Sequence, residues 1–169
     1  MLGNNQFYHG AIRKYVIMFG NMFNEINIVR YGNSGEIVQT SRVPIAYGPK
    51  EKFLIRLRTD PNLDQDVAIQ LPRLSFEITN FEYDSTRSIN KLTRNVNVGV
   101  NDYSVRSQFT PVPYNINFSL YGMFANQEDA VQVVEQILPF FRPEWTHSVQ
   151  IVPEMGDYYD VPTVFQGMS

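Results

Sequence analysis

The chain has 169 residues, the size of one ordinary domain, with 43% hydrophobic, 14% aromatic and 18% charged residues. That balance excludes a disordered chain, and a net charge of −3 offers no global field for nucleic acid or an anionic membrane. The absence of cysteine removes disulfides, thiolate metal sites and a cysteine nucleophile together.

The first element is a helix over 11–26, where Ile12, Tyr15, Val16, Phe19, Met22, Phe23 and Ile26 recur at helical spacing. Its apolar run YVIMFG (15–20) is too short to cross a bilayer, and no signal-peptide layout surrounds it. Two β-prone runs then flank Gly32-Asn33-Ser34-Gly35, which predicts a hairpin. Pro44 either takes the second run out of its ladder there or places it at a sheet edge. Pro49 suits the first turn of a second helix, with Phe53, Leu54 and Leu57 on one side and Lys50, Lys52, Arg56 and Arg58 as a basic flank. Asp60-Pro61 ends it.

Leu74, Phe76 and Ile78 alternate with Ser75, Glu77 and Thr79, the period of a half-buried strand. The stretch 85–108 is rich in Asn, Ser and Arg and reads as an exposed loop or extended hairpin arm. YNINFSLYGMFA (114–125) alternates again and predicts a central strand. Asn126 is placed to cap a helix from Gln127, with Glu128 and Asp129 where the helix dipole favours acids. SVQIVP and VPTVFQ predict two short closing strands. The expected class is α+β, a single domain over 1–169 with a mainly antiparallel sheet flanked by helices.

Catalytic chemistry is not indicated. His9 and His147 lack a second ligand at metal spacing, and Glu144 and Glu154 are near His147 in sequence only. YGNSGE completes no phosphate-binding or nucleophile pattern, and DYYD (157–160) offers too few oxygens for a calcium cage. No catalytic, cofactor or metal site is expected, and the residues point to a binding or structural domain. A ligand-processing enzyme is the contrasting class; it requires a deep polar pocket with perturbed carboxylates.

Four stretches carry a more specific signal: RVPIAYGPKEKFLIRL (42–57), LPRLSFEITNFEYD (71–84), FTPVPYNINFSLYGMF (109–124) and VVEQILPFFRPEW (133–145). In this order, with RKYVIMFGNMFNEINIVR (13–30) ahead of them, the chain resembles the tail sheath stabiliser and completion family of T-even-like contractile-tailed bacteriophages. The resemblance covers almost the whole chain. It implies a tail-terminator-like fold and a hexameric ring at the neck end of the tail. Such a ring caps tube and sheath, holds the sheath extended and gives the head a surface to join. The implied partners are copies of the same chain, the sheath protein, the tube terminator and neck or head-completion proteins, with no membrane and no sequence-specific nucleic acid. The implied location is the virion neck, and the host cytoplasm during assembly. A tube terminator that stops tube growth is the alternative. The resemblance carries no catalytic residues. Family members usually continue further, so a shortened member or a missing C-terminal segment is expected, and a missing strand leaves an open sheet edge.

Candidate contacts follow from charge. Arg87, Lys91, Arg94 and Arg106 on the arm are candidates for intersubunit or neck pairing, and Lys50, Lys52, Arg56 and Arg58 for an axial contact. VVEQILPFFRPEW reads as a helix that ends near Leu138, followed by an aromatic core corner of Phe140, Phe141 and Trp145.

Overall fold

The computed structural model describes residues 8–32, 34–59, 71–90, 92–98 and 105–168. Asn33, the 60–66 turn, Lys91 and the side chains of Phe53, Arg56, Leu57, Arg58, Arg106 and Glu154 lie outside the described residues.

Helix α1 (Ala11–Met22) begins after Gly10, whose φ of 65° suits a residue without Cβ. It runs through Gly20, where an added Cβ would lie 3.2 Å from the Phe76 ring. That close approach is why the helix tolerates a glycine here. Strands β1 (Asn27–Tyr31) and β2 (Ile37–Arg42) pair antiparallel, and β2 ends before Pro44. A short β3 (Ile45–Tyr47) leads into α2 (Lys50–Thr59).

Strand β4 (Arg73–Tyr83) pairs in parallel with β3 and antiparallel with β7 (Tyr114–Met123). Its ladder slips between Ile78 and Asn80, where the Thr79 hydroxyl donates to the Asn117 carbonyl at 3.2 Å. Before this bulge Leu74, Ser75 and Phe76 are all buried, so both faces are covered rather than the single face that alternation implied. After it the β4–β7 ribbon is exposed, with Tyr83 edge-on to Tyr114. The arm between them carries β5 (Arg94–Val98) and β6 (Val105–Phe109), an antiparallel hairpin.

Helix α3 (Gln127–Ile137) starts after Asn126, whose side chain makes no capping hydrogen bond. It tightens into a 3₁₀ turn at Leu138–Phe140, where Pro139 disfavours continuation. Strands β8 (Glu144–Gln150) and β9 (Tyr158–Val164) form the last antiparallel pair.

The α+β class and the antiparallel majority are as expected, but the strands among the described residues form four separate ladders. The middle ladder runs β3-β4-β7, so β4 is its central strand. YNINFSLYGM, expected to be central, is an edge strand among the described residues. One cluster holds the molecule together: Phe19, Phe23 and Ile26 from α1 and its exit, Ile28, Val43, Leu74 and Phe76 from the strands, and Val133 from α3. Phe19 stacks on Phe118 at 4.3 Å between centroids.

The aromatic corner departs from the expected core. Phe141 packs against the cluster, but Trp145 is half-buried and Phe140 is exposed, the two rings stacking at 4.7 Å. Below them Trp145 meets Phe23 edge-on. The corner is a partly exposed stack standing on the core.

Candidate protein–protein interface

The β5–β6 hairpin has its faces inverted. Cross-strand partners share a face, so Arg94, Val96 and Val98 lie with Phe109, Ser107 and Val105. Val96, Val98, Val105 and Phe109 are each about 60% exposed. The opposite face carries Asn95, Asn97 and Gln108, and the Asn97 amide donates to the Met155 carbonyl. The polar face is therefore the one held to the body, and the valine face looks outward. Arg94 lies over the Phe109 ring at 4.5 Å, a cation–π contact within this apolar face.

A second surface is a groove of about 1540 Å³ with α1, β7, α3 and β9 along it. Residues 114–124 and 159–168 line it without a gap. A strand that shows a cavity only one face contributes alternate residues. Unbroken runs mean that β7 and β9 meet the groove with more than one face. Among the described residues β7 pairs only with β4, and β9 only with β8. Phe118, Leu120, Phe124 and Phe141, which pack on the core from one side, are partly bare on the groove side.

The outer edge of β1 is sealed instead. Gln132 of α3 accepts from the Val29 N–H and donates to the Val29 carbonyl, both at 3.0 Å. Gln136 does the same at Asn27, at 3.4 and 2.7 Å. Beside them Arg30 reaches the buried Asp129 at 3.3 Å. Lys14 closes another seam, its ammonium donating to the Gln150 and Ile151 carbonyls.

The basic candidates do not gather into one patch. Lys50 and Lys52 are exposed on α2, and Lys50 stands at the groove rim. Arg87 is engaged within its own chain, donating to Asp84 Oδ2 at 2.6 Å and to Asn115 Oδ1. Hydrogen bonds from Thr86 and then Arg87 hold the Asp84 carboxyl down at about 2. Lys91 and the side chains of Arg56, Arg58 and Arg106 lie outside the described residues. Two tyrosines are pushed above their ordinary range, Tyr15 by burial and then by Tyr159, Tyr121 by its hydrogen bond to Glu77. Among the described residues no three His, Asp or Glu side chains converge as a metal site, and no helix is long and apolar enough to cross a membrane.

Sequence reasoning assigned the arm its charges and missed its apolar outward face. The alternation in NVNV was the available signal; which face turns outward depends on Met155, some 60 residues away. Gln132 and Gln136 carry no signal of their own in the sequence, since any polar residue suits the outer side of α3.

Residues 6–169 match the family described as T4-like virus Myoviridae tail sheath stabiliser. The chain belongs to that family. It is also 35% identical over 148 residues to the tail completion protein gp15 of Enterobacteria phage T4, an alignment covering 85% of this chain and 53% of the relative. The chain therefore spans about half the length of the curated relative it matches.

Proposed function

We propose that this protein assembles as a hexameric ring at the neck end of a contractile tail, where it caps tube and sheath and gives the head its attachment surface. The family match across residues 6–169 carries the reading. The outward valine face of the β5–β6 hairpin and the aromatic groove beside β7 support it, each a surface of the kind a neighbouring subunit covers.

Sheath protein would sit on one rim, and the tube terminator and neck or head-completion proteins on the other. The basic flank of α2 (Lys50, Lys52, Arg56, Arg58) is the proposed axial contact, and the arm with Arg87, Lys91, Arg94 and Arg106 the lateral one. The site of action is the virion neck, with assembly in the host cytoplasm.

A pull-down against separately purified extended sheath and tail tube tests the reading. Retention on sheath, weakened by salt and by charge reversal at Lys50 and Lys52, is expected. Retention on tube alone identifies a tube terminator instead.

A further inference from the structure

We propose that the β5–β6 hairpin of one copy docks in the groove between β7 and β9 of a second copy of this chain. The contact would lay the valine face of the hairpin on the aromatic floor of the groove and set a free hairpin edge against the bare edge of β7. This deepens the ring reading and rests on it, by naming the two surfaces that meet.

Three observations combine. The hairpin presents Val96, Val98, Val105 and Phe109 to solvent while its polar face is tied to its own body at Met155. An apolar face turned away from its own core needs another core to cover it. The groove supplies one: Phe118, Leu120, Phe124 and Phe141 line it beside two strand edges that are unpaired among the described residues. The β7 edge is long enough, because each hairpin strand is five residues, about 17 Å, and β7 is ten, about 33 Å.

The second copy is the occupant favoured here because one chain carries both halves of the contact. The strand such a groove accepts alternates apolar and polar residues. The hairpin has that pattern, Val96 and Val98 against Asn95 and Asn97. Donor and acceptor are different surfaces, so the contact is heterologous and propagates head to tail into a closed ring or an open filament.

Complementation between variants of the whole chain tests this. The donor variant is Val96→Asp with Val98→Asp. The acceptor variant is Val112→Asp with Val164→Asp, two groove-lining residues 63% and 57% exposed, so a folded subunit is retained. Sedimentation should show wild-type oligomers, a self-association at least tenfold weaker for each variant alone, and 1:1 heterodimers on mixing, because one intact interface remains. Wild-type assembly by either variant alone overturns the pairing, as does a monomeric mixture or a monomeric wild type. If the aspartates unfold the hairpin by circular dichroism, Val96→Thr with Val98→Thr keeps strand preference and must show the same loss. A ring that persists in the donor variant, with sheath binding retained, overturns this contact and leaves the proposed function standing.

Discussion

The outer edge of β1 and the outer edge of β7 both border the core, yet among the described residues only the first is covered, by α3. At β1 the cover is two glutamine amides four residues apart on a helix, meeting two strand residues two apart. The spacings match because four helical residues rise about 6 Å and two strand residues about 6.7 Å. The helix thus imitates a neighbouring strand with side chains. At β7 no such amides reach the edge among the described residues, and aromatic side chains stand there instead. A sealed edge resists pairing with another chain, and a bare one with apolar surroundings invites it.

Several perturbations separate the two edges. Phe23→Ala removes a ring that is 3% exposed beneath both regions and should cost about 3–5 kcal/mol, measured by urea unfolding. Amide exchange should then quicken at β1 and β7 alike; protection lost at only one of them would mean that the two edges do not share a core. Trp145→Ala should cost less than that range of about 3–5 kcal/mol, since the indole is half-buried and stacks on an exposed Phe140. A full-range loss in the same assay would return the corner to the interior.

Gln132→Leu leaves the Val29 N–H and C=O without partners and should destabilise by about 1–3 kcal/mol. Hydrogen exchange at Val29 should accelerate with β7 unaffected; equal effects on both strands would dissolve the contrast. The smallest effect concerns the turn that joins the β4–β7 ribbon to the arm. Asp84 sits at about 2 when folded and near 3.9 when unfolded, so its contribution is whole above about pH 4 and is lost as pH falls through about 2. Carboxyl NMR should place the Asp84 midpoint at about 2, and a midpoint near 3.9 would show that Thr86 and Arg87 do not hold it.

How much of this was legible in the sequence depended on distance along the chain. Pro139 ended α3 and Pro44 ended β2 as read, because proline acts on its immediate neighbours. The alternation in 114–125 gave a strand but not its place, since strand order is decided by what pairs from elsewhere. Arg87 carried a visible charge, but its engagement with Asp84 and Asn115 could not be seen before β7 was placed beside the turn. The same holds for Gln132, an ordinary polar helix residue until β1 lies alongside.

The Thr79 bulge gives the ribbon one extra residue at the point where it leaves the core. A bulge of this kind bends the strand and tightens its twist. It also resets which side of the ribbon each later residue occupies, because side chains alternate strictly. Deleting Thr79 would exchange the two sides of residues 80–83 and swing the arm that follows. The direction in which one subunit reaches for another would then hang on a single inserted residue, a change that evolution can make in one step without touching either contact surface.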